Sequence, residues 1–456
     1  MKDRSQTRRL GGTWAAPAFV ALCVVLGGAS AAGVFANLLL QLLGVAVIAW
    51  LMIGARGERT PGALPLLTAA AAILAIGTAQ LIPLPMPLWQ SLSPRDAIAQ
   101  ALDLAGAKPA SMAFSLTPHA TVAAVVATVP AIAAALLILR SPAESLLLPF
   151  VIAVLALVSI ALGVGQAAGG SGSALYIYEV TNRGYAVGLF ANKNHLATLA
   201  LVALPCLAFA WRAGGARHAS AAADRGRTIV VALAALLVLL GIFMSGSDAG
   251  LLLAGPTAVA SVLIARNDRL GVPHLLALAL FGVGFLMAAT VYNADLGKLL
   301  TIGADEPLDR RRFWLGTVGL IASSLPFGTG LGSFAAVYRT IEDPAAVIPI
   351  FINHAHNDFL EVALETGVLG ILAMLVFLAW WFWRVLTAWR SPSALAKTAS
   401  VVTAVILAHS TVDYPLRTAA LMAIFAACCA ILARPFAADE LPVNLQRAKA
   451  RSRRRG

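Results

Sequence analysis

Charge is the first thing this chain has little of. Only 12% of its 456 residues are Asp, Glu, Lys or Arg, 60% are hydrophobic, and the mean hydropathy is +0.84. Soluble domains carry about 25% charged residues and about 45–50% apolar ones, so a soluble globular protein is excluded. Cysteine is sparse as well. Cys23, Cys206, Cys428 and Cys429 fall inside apolar runs, with no CxxC pair and no external position for a disulfide, and they read as small packing residues. HExxH, zinc-finger spacing, RNP-like segments and helix-turn-helix patterns are all missing, as are tandem repeats and low-complexity tracts. The 38 glycines and 23 prolines follow no strict period, which sets collagen aside.

What the chain does have is apolar runs near twenty residues long. At 1.5 Å per residue such a run crosses a hydrocarbon core of ~30 Å. The pattern predicts an all-α polytopic membrane protein with about twelve spans: 14–34, 36–54, 62–84, 119–139, 143–165, 191–211, 228–244, 249–265, 271–292, 360–383, 398–412 and 415–433. With both termini in the cytoplasm, 23 of the 33 Lys and Arg fall on the inner side, and each short inner loop is basic. The expected organisation is a basic cytoplasmic N-terminus (1–13), a single membrane domain (14–433) and a basic cytoplasmic tail (434–456). The first helix is expected to be retained rather than cleaved. The pI of about 10.1 invites a nucleic-acid reading. The basic tail adjoins a span, however, so membrane lipids are the expected partner and nucleic acid is not.

Three outer stretches are long: 85–118, 166–190 and 293–359, the last between the ninth and tenth spans. The first is proline-rich, and Trp89 in it reads as an interfacial anchor. In the third, 313–323 reads as a short helix on the membrane. The turn PFGTGLGSF after it reads as a place where backbone amides approach a ligand. Nearly all unusual polar residues collect on this outer face, which predicts a wetted outward cavity, since charges near hydrocarbon are costly unless paired. A transporter would instead keep its polar groups at the membrane midplane.

Two sets of side chains carry chemistry. In NHAHNDFLEVALETG (353–367), His354, Asp358, Glu361 and Glu365 are spaced to share a helix face, and His356 lies among them. A histidine there can take the proton of an attacking hydroxyl with a carboxylate orienting the ring. A metal site and plain helix capping remain alternatives. Asn357 and Asp413 join this polar set. The second set is cationic: Arg183, the run Arg310, Arg311 and Arg312, Arg339 and Arg417, whose planar guanidinium groups suit a pyrophosphate. Lys193 and Asn194 stand at a helix N-terminus that favours anions. His195 beside them reads either as a site residue or as a satisfied polar group between helices.

RGYAVGLFANKNHLATL (183–199), MSGSDAG (244–250), RRRFW (310–314) leading to PFGTGLGSF, and NHAHNDFLEVALETGVLG (353–370) together resemble the O-antigen ligase-related family. That family includes lipopolysaccharide O-antigen ligases and Wzy-type polymerases. The likeness runs in order over about 180–370, and HSTVDYPLR (409–417) adds to it. The resemblance implies a GT-C-like membrane glycosyltransferase of the bacterial inner membrane, with its site facing the periplasm. It implies metal-independent, inverting transfer without a cofactor. The implied donor is an undecaprenyl-pyrophosphate-linked glycan and the acceptor is lipid A-core or a growing glycan. Other envelope polysaccharide assembly proteins are the implied neighbours. Carried over, His356 is the base, Arg183 and one of Arg310–Arg312 contact pyrophosphate, and Glu365 is the recurring carboxylate. The chain departs from the pattern where Asp248 follows Ser247, a position that often holds arginine in relatives.

Overall fold

A computed structural model describes residues 14–30, 34–53, 62–93, 95–141, 145–215, 221–266, 310–342 and 352–436. The chain is mostly helical. Among the described residues, seven helices are long and apolar enough to cross a membrane. They are α2 (Phe35–Ile53), the end-to-end pair α6 (Pro118–Ala127) and α7 (Val129–Arg140), α8 (Leu148–Ala168), α9 (Lys193–Gly214), α10 (Ala221–Ser245), α11 (Asp248–Arg266) and α14 (Asp358–Arg390). Shorter apolar helices are α1 (Ala15–Leu26), α3 (Leu64–Ala79), most of α12 (Arg310–Ser324), α15 (Ala394–His409) and α16 (Ala419–Ala433). Each predicted span that falls on described residues contains a helix, but those at 14–34, 62–84, 398–412 and 415–433 hold helices of only 12, 16, 16 and 15 residues. The ninth, at 271–292, lies outside the described residues, as do the N-terminal segment 1–13, most of the tail and parts of the 293–359 loop.

The core is built around α9. Its residues from Asn194 to Phe209 are buried on every side, in contact with α8, α10, α11 and α15. A helix that is apolar all round belongs inside a bundle. α16 packs against α1, α7 and α15 through Ala420, Ala423, Ala427 and Ala430, small residues that let helix backbones come close. A Cβ on Gly27 would lie 2.8 Å from the Ala419 Cβ, so this approach leaves no room for a side chain. By contrast α2 is largely exposed, as a lipid-facing helix would be.

Two expectations need correction. The first concerns the 85–118 stretch, which is closed by a small ribbon: β1 (Pro83–Pro85) pairs antiparallel with β2 (Ser111–Ala113), Leu84 opposite Met112. Prolines are tolerated there because a two-stranded ribbon has only edges. The short α4 (Met86–Gln90) and α5 (Asp96–Leu104) lie between the strands. Trp89 is no interfacial anchor. It is fully buried, donates Nε1–H to the Ala113 carbonyl at 2.8 Å, and carries the Arg95 guanidinium 5.4 Å from its ring. The indole N–H and the proline-bounded turn pull the ring inward instead of leaving it at the surface.

The second correction concerns the glycine-rich turn. Its amides are used within the fold: Gly328 N donates to Ser324 O, Thr329 N to Leu364 O, Gly330 N to Glu365 O and Leu331 N to the Gln80 Oε1. The turn inserts against α14 where that helix breaks at Gly367 (φ 61), and Val368 N donates to Pro326 O. A Cβ on Gly367 would lie 2.3 Å from that carbonyl. Gln80 closes the junction by donating to Glu365 O at 2.9 Å.

Candidate functional site

The site is organised by the start of α14. Asn357 is extended (φ −162) and caps the helix, its Oδ1 accepting from Phe359 N at 3.0 Å and Leu360 N at 3.1 Å. Its Nδ2 donates to Thr411 O at 2.8 Å, and Asp358 N donates to Ser410 O at 2.9 Å. These bonds tie 353–358 to the turn that follows α15. The turn runs into a short 3₁₀ segment, Pro415–Arg417, before α16. Asp413, Tyr414 and Arg417 are thereby placed against the histidines.

His356 has φ 50 and is the one non-glycine residue with positive φ among the described residues. Such a conformation is costly for an L residue and persists where the surroundings enforce it, often at functional positions. Its Nδ1 lies 3.0 Å from Asp413 Oδ1, with Asp413 1% and His356 24% exposed. Because the carboxylate only accepts, Nδ1 carries the hydrogen and Nε2 is the basic nitrogen on the opposite edge of the ring. Phe313 of α12 stacks on the imidazole (centroids 6.3 Å, 24°), and Tyr414 meets it edge-on at 4.9 Å. Burial works to raise the Asp413 carboxyl. The His356 hydrogen bond and the neighbouring imidazoles more than offset this and hold it well below the usual carboxylate range.

His354 turns the other way. Its Nδ1 is 2.9 Å from Glu361 Oε1, and its ring lies on Tyr414 with centroids 4.3 Å apart. The two histidines of the HxH pair are thus bound to separate carboxylates on either side of one tyrosine. Among the described residues no three His, Cys, Asp or Glu side chains are arranged to hold a metal ion. Tyr414 accepts from Asn192 Nδ2 at 3.2 Å. Burial, with the Asp413 charge adding to it, pushes its phenol up, so it stays a neutral hydroxyl.

Below this pair lies a second cluster. Asp358, Glu361 and Glu365 do share one helix face, and all three point at Arg417: Nε to Asp358 Oδ1 at 3.5 Å, Nη2 to Glu361 Oε1 at 3.4 Å and to Glu365 Oε2 at 3.2 Å. Burial opposes the guanidinium charge, but the three carboxylates outweigh it and raise the Arg417 pKa. Glu365 is fully buried, and its other oxygen accepts from Phe334 N in α13 (Phe334–Tyr338) at 3.4 Å. Glu365 and Arg417 therefore serve each other and the glycine turn, one layer beneath the histidines. Asp413 works on His356 rather than standing as an independent substrate contact.

The remaining predicted residues make other contacts. Arg183 is exposed, sits over the Tyr176 ring at 5.3 Å and donates to Ser171 O at 3.3 Å. Lys193 holds its Nζ 4.0 Å over Tyr185, and its amide donates to Asn182 Oδ1. Asn194 is buried and receives the cap of Asn192, whose Oδ1 accepts its amide at 2.9 Å. Arg339 is exposed at the end of α13. Arg310 and Arg311 open α12, and their side chains lie outside the described set. Tyr414 and Gln80 are not legible as site residues from the sequence. The only signal for Tyr414 is its place beside Asp413 in an outer turn, and Gln80 gives none.

With this geometry in hand, residues 184–375 match the family described as O-antigen ligase. The match spans less than half of the chain and shows that this segment is similar to that family. No curated protein matches the chain. The O-antigen ligase segment contains Lys193, Asn194, His354, His356 and Glu365 and ends within α14. It stops short of Asp413, Tyr414 and Arg417, the partners that α15 and the following turn bring back to it.

Proposed function

We propose that the chain is an O-antigen ligase-like glycosyltransferase of the bacterial inner membrane, with a GT-C-like membrane domain. It moves a glycan from an undecaprenyl-pyrophosphate carrier to an acceptor hydroxyl at the periplasmic face. The observation that supports this most is the His356–Asp413 pair, held in a left-handed turn with one ring edge buried on a carboxylate and the other open. In the proposed step the acceptor oxygen attacks the anomeric carbon while His356 Nε2 takes its proton. The bond from that carbon to the pyrophosphate breaks, and the electron pair leaves with the lipid pyrophosphate. A single displacement inverts the anomeric centre. Asp413 supports the imidazolium as it forms, and a base so placed contributes about 10²–10⁴-fold.

Cations serve the leaving group in this reading, so no metal is required. Arg183 and Lys193, each held over a tyrosine in the outer loop, and the arginines opening α12 are the proposed diphosphate contacts. Arg417 is withdrawn from that role because three carboxylates already surround it. The test is the glycan profile of a deletion strain complemented with wild type, His356→Ala or Arg183→Ala. Long chains left on the carrier, with none on lipid A-core, identify a ligase. Single repeat units alone identify a polymerase acting on the same donor. Full activity of His356→Ala would overturn the assignment of the base.

A further inference from the structure

Asp413 has two oxygens, and the His356 pair uses one. Oδ2 is buried and, among the described residues, accepts no hydrogen bond. Facing it at 3.8 Å is Nε2 of His195, which is 1% exposed. Neither ring nitrogen of His195 has a hydrogen-bond partner among the described residues. Buried polar groups are nearly always satisfied, so two complementary unsatisfied groups facing each other call for an explanation. The distance is too long for an ordinary N–H···O bond of about 2.7–3.2 Å, and a movement of roughly 1 Å would make one.

The surroundings hold the imidazole in place for that bond. Phe190 and Tyr414 both meet the His195 ring edge-on, at 6.2 and 5.1 Å between centroids. One turn along α9, Thr198 Oγ1 bonds Asn194 O and His409 Nδ1, so the helix start is fixed to the end of α15. The Asp413 carboxylate is the less constrained partner, anchored at Oδ1 alone. When His356 gains a proton it becomes a cation and draws Asp413 toward it. A donor on Oδ2 then stops the carboxylate from rotating and keeps Oδ1 on Nδ1.

We propose that His195 is a positioning residue, which acts through Asp413 by donating Nε2–H to Oδ2 as His356 takes the acceptor proton. The proposal rests on the reading of His356 as the base. It is tested with the full-length chain in membrane vesicles from the deletion strain, which carry that strain's own lipid-linked glycan and lipid A-core. His195→Phe fills the ring's space and keeps its edge contacts but has no donor. His195→Gln loses the ring yet places an amide nitrogen near the position of Nε2. The expected result is that His195→Phe lowers kcat by about tenfold or more, with KM for the donor unchanged, and that His195→Gln recovers most of the rate.

Wild-type kcat for His195→Phe with a loss in His195→Gln would overturn the proposal, because the ring would then act by packing. If His195→Phe does not fold, a double-mutant comparison of His195→Gln with Asp413→Asn decides. Loss of the Gln variant's advantage over His195→Leu once Asp413 is Asn supports the proposal, and an undiminished advantage overturns it. His356→Ala is measured alongside. An inactive His356→Ala with an unaffected His195→Phe sinks this inference alone, whereas an active His356→Ala sinks the base assignment itself.

Discussion

Two charged clusters share the start of α14 and the turn after α15, and they are built for different ends. In the upper one, one carboxylate meets His356, which keeps 24% of its side-chain surface exposed. In the lower one, three carboxylates from successive turns of α14 meet a single guanidinium, with Glu361 2% and Glu365 0% exposed. The residue types are alike, but exposure and partner count separate them. A group that is open on one edge can exchange a proton with a substrate. In the lower cluster the carboxylates are buried and the guanidinium, 18% exposed, is shared among three of them.

The sharpest way to break this comparison is His356→Ala. Glycosyl transfer should fall by about 10²–10⁴-fold while the protein still purifies as a folded, monodisperse species. Arg417→Met should do the reverse. It leaves three buried carboxylates without their cation and should destabilise by about 3–5 kcal/mol, read as a lost or lowered thermal transition in detergent. A normally folded Arg417→Met with only a raised donor KM would return Arg417 to the substrate.

Asp413→Asn should cost transfer about 10²–10⁴-fold, because an amide can present its N–H to His356 and favour the wrong tautomer. Its effect on stability has a defined pH sign. The native carboxyl titrates below its unfolded value of about 3.9, so its contribution is complete above that pH and is lost only as pH falls through the depressed native value. The difference in melting temperature between wild type and Asp413→Asn should therefore shrink as pH falls below about 3.9. Two glycine substitutions complete the series, the first at the break in α14. Gly367→Ala, with φ 61 and a Cβ 2.3 Å from Pro326 O, should destabilise by about 1–3 kcal/mol. Gly319→Ala, on an open helix face, should stay within about 0.5 kcal/mol.

Much of this is legible in the order of the amino acids. The apolar runs place the helices because burial in lipid demands about twenty residues of one character, and that demand is local. The shared face of Asp358, Glu361 and Glu365 is legible for the same reason: helical spacing is a property of neighbours in sequence. Trp89 and the glycine-rich turn mislead because hairpin formation and insertion at a helix break depend on distant partners, β2 for one and Gly367 for the other.

Sequence by itself determined that this chain is a helical membrane protein with histidines, carboxylates and arginines concentrated in its loops. It also carries the similarity of residues 184–375 to the O-antigen ligase family. Tertiary structure alone decided which carboxylate serves which base. His356 passes over the three carboxylates nearest to it in the chain and pairs with Asp413, 57 residues away. The reason is directional. Glu361 is taken by His354 and by Arg417, Asp358 and Glu365 also face Arg417, and the left-handed turn at His356 aims its ring toward the end of α15. Spacing along a helix can say which groups share a face, but only the packing of α14 against α15 says what that face meets.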